Sequence, residues 1–180
     1  MSLPFWSPES SRIGFFADRK LKTVSAAGGA ADFICDAPFG RGGTWSSSSV
    51  IVFAPDASGP LHRVSANGGT STPVTALDAA RSESGHRFPL FLPDGEQFLY
   101  AAVPEKDGAY EILAGSLKDP SVRKRIGALE TAPVYAEPGF LVFARQGVLA
   151  AQPFDVEALQ LTGEAMSLGD RPGVARSGVA

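Results

Sequence analysis

Cysteine and histidine are almost missing from this chain: 180 residues hold one cysteine, Cys35, and two histidines, His62 and His86. A lone thiol cannot close an internal disulfide, and two distant imidazoles lack the spacing of a metal site. Neither a metal nor a cofactor is expected. Ser-His-Asp hydrolysis has no support either, because neither histidine accompanies a Gly-x-Ser-x-Gly elbow. Cys35 stands in the apolar run Phe33-Ile34-Cys35 with no histidine or helix start beside it, so it reads as a small core residue.

Long apolar runs are lacking too. None approaches the roughly 18 residues that a bilayer span requires, and the N-terminus has neither the basic start nor the apolar core of a signal peptide. The expectation is a soluble piece without membrane contact. A net charge of -3 with both signs mixed gives no general attraction to nucleic acid. The basic cluster Arg123-Lys124-Arg125 is short and suits an exposed sheet edge, where charge opposes unwanted pairing. Gly40-Arg41-Gly42-Gly43 is glycine-rich but lacks the lysine and following helix of a phosphate loop, and reads as a bend between units.

What the chain does have is turns and repeats. Twenty glycines and 14 prolines without a short period, set in a composition that is 44% hydrophobic, describe a turn-rich all-β domain with a sizeable core. Four aromatic-alanine pairs, Phe16-Ala17, Phe53-Ala54, Tyr100-Ala101 and Phe143-Ala144, recur 37, 47 and 43 residues apart. Each follows another aromatic (Trp6, Trp45, Phe91 and Tyr135) by eight to ten residues. Periods of this size belong to solenoids, propellers or arrays.

In chain order, Met1-Ser2-Leu3 reads as an added start, and the repeats begin at Pro4. The units cover about 4–40, 41–77, 86–128 and 132–169, each with four strand-like runs, and 171–180 resembles the opening of a fifth. The second copies the first closely: Val64-Ser65-Ala66-Asn67-Gly68-Gly69 follows Val24-Ser25-Ala26-Ala27-Gly28-Gly29 by 40 residues. A polar stretch from Leu77 to His86 reads as a long loop, and 154–162 as a structured turn.

Three sequence blocks carry a family likeness: PFWSPESSRIGFFADRKLKTVSAAGG (4–29), HRFPLFLPDGEQFLY (86–100) and GVLAAQPFDVEALQLTGE (147–164). With GRGGTW and VIVFAP between them, they resemble the TolB-type, WD-like β-propeller repeat. More narrowly, they are similar to the propeller region C-terminal to the catalytic domain of bacterial serine/threonine protein kinases. The second unit lacks the Pro-Asp-Gly turn and the fourth has Glu137-Pro138-Gly139 in its place, so no turn carboxylate is common to every blade.

The resemblance implies a fold class: all-β, a partial β-propeller of about four blades of four-stranded antiparallel sheet. It implies a non-catalytic module that recognises a protein or small-molecule ligand, the sensor region of a receptor-like kinase whose catalytic domain and membrane span lie N-terminal. The fragment would then be extracytoplasmic, with a cytoplasmic setting as the alternative. The kinase motifs themselves (Gly-rich loop, His-Arg-Asp, Asp-Phe-Gly) do not occur in these residues. The competing function is an accessory propeller that gates substrates to a peptidase or other hydrolase. His86 and Arg87 are the residues placed to face a central channel as ligand contacts. Four blades would form an open arc, whose two end blades would expose apolar faces and favour self-association.

Overall fold

The computed structural model describes residues 3–104 and 109–169. Met1, Ser2 and the fifth-unit sequence 171–180 lie outside the described residues. Local alternation and turn chemistry produce four antiparallel sheets, each wound in sequence order. The first contains β1 (Phe5–Trp6), β2 (Arg12–Ala17), β3 (Lys20–Ser25) and β4 (Asp32–Asp36). The second contains β5 (Gly43–Trp45), β6 (Val50–Phe53), β7 (His62–Ser65) and β8 (Thr72–Pro73). The third contains β9 (Glu83–Phe91), β10 (Gln97–Pro104), β11 (Tyr110–Ser116) and β12 (Lys124–Leu129). The fourth contains β13 (Val134–Ala136), β14 (Phe140–Arg145) and β15 (Val148–Asp155), with two short outer strands, β16 (Gln160–Leu161) and β17 (Met166–Ser167), both paired to β15.

The sheets stack face to face, and each interface is one apolar cluster. Between the first and second sheets lie Phe16, Leu21, Ile34, Cys35, Ile51, Phe53 and Val64. The second and third are joined by Val52, Ala54, Leu61, Phe98, Tyr100, Ala102 and Leu113. Leu99, Ala101, Ile112, Ala114, Leu141, Phe143, Ala150 and Phe154 join the third and fourth. Alternate residues of β6 and β10 therefore serve opposite interfaces, which is why these central strands are apolar on both faces.

The end sheets are different, and the strand register shows why. Trp6, Ile13 and Val24 form one cross-strand row of the first sheet, and Phe15, Lys22 and Phe33 form the next. This row set faces away from the second sheet, and Trp6 and Phe33 are each 56% exposed. On the fourth sheet the outward row is Val134, Val142, Ala151 and Met166, with Val134 and Met166 exposed at its two ends.

The aromatic-alanine pairs need one correction. Phe16, Phe53, Tyr100 and Phe143 are all buried between sheets. However, Phe53, Tyr100 and Phe143 face the preceding sheet, whereas Phe16 faces the following one. The residue oriented like Phe53 is Phe15, so the first repeat is in register through Phe15-Phe16 rather than Phe16-Ala17. A shift of one residue in a strand exchanges its faces.

Two other expectations change in detail. The stretch from Leu77 to His86 is only partly loop: Asp78 caps a single 3-10 turn, Ala79–Arg81, and β9 already begins at Glu83. The stretch 154–162 is a hairpin, with Phe154 and Asp155 closing against Leu161 and Gln160. The glycines at 40–43 act through contact as much as bending. A Cβ on Gly43 would stand 2.4 Å from the Phe5 ring, and Gly42 combines φ +98° with a Cβ position 3.0 Å from the Phe88 backbone. Only glycine lets the second sheet approach the first at Gly43 and the third at Gly42.

Candidate functional site

The first strands of successive sheets lie side by side, β1 against β5 and β5 against β9, and so form the inner side of the arc. Where these strands run out into their turns, a cavity of about 310 Å³ opens. All four sheets contribute to it: Pro8 from the first, Thr44 to Ser47 from the second, Leu90 to Pro93 with Gly95 from the third, and Tyr135 with Glu137 from the fourth. Its size is at the lower end of small-molecule sites.

Each lining aromatic is held by its own interface. Trp45 packs on the first-to-second cluster, Phe91 on the second-to-third, where it meets Phe98 edge to face at 5.9 Å, and Tyr135 on the third-to-fourth. Their remaining surface lines the cavity. The rim is fixed by polar contacts: the Phe91 N–H donates to Thr44 Oγ1 at 3.1 Å, and the hydroxyls of Ser46 and Ser48 are 2.7 Å apart. Partial removal from water, with the Glu137 charge adding to it, raises the Tyr135 phenol above its ordinary range.

His86 and Arg87 are placed elsewhere, and neither lines this cavity. The His86 ring is 1% exposed and packs against Tyr100 with centroids 4.7 Å apart. Its Nε2 is 3.2 Å from Glu83 Oε2 and its Nδ1 is 2.8 Å from Thr75 Oγ1. Burial pushes the His86 pKa down despite the Glu83 carboxylate. Burial alone would raise Glu83, but the Asp78 N–H, His86 and Arg123 together hold it below its usual value. Ionised Glu83 can only accept, so Nε2 of the neutral ring carries the proton and Nδ1 accepts from the Thr75 hydroxyl. Thr75 Oγ1 in turn accepts the Leu61 N–H at 2.9 Å.

Hydroxyl, imidazole and carboxylate thus stand in the order of a hydrolase triad. Their geometry is that of a clamp: both ring nitrogens are occupied, Arg123 forms an ion pair with the far oxygen of Glu83, and the ring is enclosed between the second and third sheets. The Tyr100 phenol beneath it is pushed up to about 12 by burial. Arg87 makes a second clamp, donating from Nε and Nη2 to the Ala57 carbonyl at 3.0 and 2.7 Å. Among the described residues, no group of three or more His, Cys, Asp or Glu is arranged to hold a metal, and no helix is long and apolar enough to cross a membrane.

The chain's geometry is matched among solved structures. A calcium-binding regucalcin from Agrobacterium tumefaciens superimposes with a TM-score of 0.69 at 18% identity, covering 96% of this chain and 60% of that one. The fold is a β-propeller arc. A TolB protein of the same organism gives 0.66 at 16% identity, covering 94% and 61%, and a puromycin hydrolase gives 0.63 at 15%, covering 92% and 32%. The chain spans about three-fifths of the length of the first two. At these identities the likeness concerns the fold alone. No protein-family model and no curated protein matches the sequence.

The cavity is not evident from any single stretch of the sequence, although its aromatics are among the repeat markers. Trp45, Phe91 and Tyr135 occupy the same repeat position, just before the first turn, and in a closed or partly closed ring equivalent positions converge on the axis. That convergence was the available signal.

Proposed function

We propose that this chain is part of a recognition module, binding a small molecule or a peptide end in the inner-rim cavity. One observation carries the reading: three sheets separated in sequence deliver Trp45, Phe91 and Tyr135 to a single cavity, with Ser46, Ser47 and Glu137 beside them and Pro8 of the first sheet closing it. Convergent aromatics with few polar groups are the usual composition of a binding pocket. In its finer form, the module is the sensor region of a bacterial receptor-like serine/threonine kinase, as the repeat sequences resemble. The accessory propeller of a hydrolase is the second reading, favoured by the structural likeness to puromycin hydrolase.

A thermal-shift screen of metabolites and short peptides tests the recognition reading. Hits should lose their shift in Trp45→Leu, which removes cavity surface while keeping an apolar group in the interface. Hits unaffected by Trp45→Leu would place binding elsewhere and refute it. The coding sequence on either side separates the two settings: a kinase signature upstream supports the sensor, and an α/β-hydrolase elbow downstream supports the gate.

A further inference from the structure

We infer that the inner-rim cavity takes an organic cation, a substituted ammonium group carried on a small molecule or peptide. The inference rests on the recognition reading above and adds the ligand's chemistry. Among the described lining residues three are aromatic, one is a carboxylate, and none is lysine or arginine. Aromatic faces attract a cation through their quadrupole and also remove it from water, so they favour a weakly hydrated alkylammonium over a metal ion.

The charge around the mouth has the matching sign. Glu137 lies in the lining itself, Glu9 adjoins Pro8 in the chain, and Asp94 adjoins Gly95. Lys118 pairs with Glu96 and Arg12 with Asp32, which directs these two cations to other carboxylates. An anion entering the cavity would meet the Glu137 carboxylate with no lysine or arginine among the described lining residues, Arg12 standing outside the lining near Glu9. A neutral sugar would find three lining hydroxyls, but Ser46 is 2% exposed and engaged with Ser48 and Thr44 accepts the Phe91 N–H, which leaves the exposed Ser47 as its main hydroxyl contact. The Tyr135 phenol is raised first by partial removal from water and then by the Glu137 charge beside it.

Choline and its neutral isostere, 3,3-dimethylbutan-1-ol, differ mainly in charge and serve as the probe pair in calorimetric titrations of the whole chain. Choline should bind saturably and at least about fivefold more tightly than the isostere, a ratio in the range of partly exposed cation–π contacts. Glu137→Gln, an exposed change away from the interfaces, should weaken choline about threefold or more and leave the isostere unchanged. Added salt should weaken choline only. Equal affinity of the two probes, insensitivity to Glu137→Gln, or no saturable choline binding each overturns the cation assignment. The recognition reading fails separately, if Trp45→Leu leaves every bound probe and every screening hit unchanged.

Discussion

Replacing Phe53 with alanine tests the stacked-sheet core at its best-enclosed aromatic. Phe53 has no exposed surface, and its ring centroid stands 6.5 Å from Phe16 of the neighbouring sheet and 6.2 Å from His62. A buried aromatic removes about 150–250 Å² from water, worth roughly 4–6 kcal/mol at ~25 cal/mol per Å². Measured Phe→Ala changes in cores cost about 3–5 kcal/mol, so the two routes agree. Against a total stability of about 5–15 kcal/mol, that leaves little folded protein. Phe53→Leu, costing roughly half as much, keeps a measurable transition. Phe33→Ala is the control, since Phe33 is 56% exposed on the outward face of the first sheet and should lose less than about 1 kcal/mol. Urea titration followed by tryptophan fluorescence reads all three, because Trp45 packs on the same cluster as Phe53. If Phe53→Ala falls within about 1 kcal/mol of Phe33→Ala, the interface does not carry the stability assigned to it.

Three further outcomes follow from the same geometry. His86 is depressed from its usual 6.5 chiefly by burial, so the folded state binds fewer protons than the unfolded chain below that pH. Its contribution is therefore complete above about pH 6.5 and is lost as pH falls through the depressed value, with His62 adding the same sign. The thermal midpoint should drop between pH 7.5 and 5.5, and less steeply in His86→Gln; equal slopes would contradict the clamp. Burial, with Asp36 nearby, pushes the Cys35 thiol up to about 11, so Ellman's reagent should react with it only after unfolding. Fast native reaction would mean an open first interface. The outward rows of the first and fourth sheets, with Trp6, Phe33, Val134 and Met166 exposed, should pair copies of the chain. Light scattering should then show mass rising with concentration, and Trp6→Glu with Phe33→Glu should abolish the rise; a wild-type monomer at high concentration would contradict pairing.

Much of the architecture was legible because it is written locally. Arg12–Ala17 is bounded by a Ser-rich turn and by Asp18-Arg19, both residues at positive φ, so turn residues visible in the sequence set its limits. The one-residue error in the first repeat arose at Phe15-Phe16, where two adjacent aromatics offer no choice of face. Facing was decided by the partner: Gly14, in line with Phe16, has room only for the Phe5 ring lying on it, and a Cβ there would be 2.3 Å away. The clamp was illegible for a different reason. His86 meets Glu83 three residues away, but Arg123 reaches Glu83 only when the third sheet brings together residues 40 apart, and Thr75 joins only after the second and third sheets stack. The cavity likewise needs four turns to converge, which no single stretch records.

The recognition site can be tested directly because the chain has only two tryptophans. Trp45 lines the inner-rim cavity, whereas Trp6 stands on the outward face of the first sheet. Protein labelled with 5-fluorotryptophan gives one fluorine resonance for each, assigned with Trp6→Phe. A small-molecule library containing substituted ammonium compounds should yield ligands that shift the Trp45 resonance saturably and leave Trp6 in place. Ligands that move only Trp6, or that move neither resonance, would contradict recognition at the inner rim.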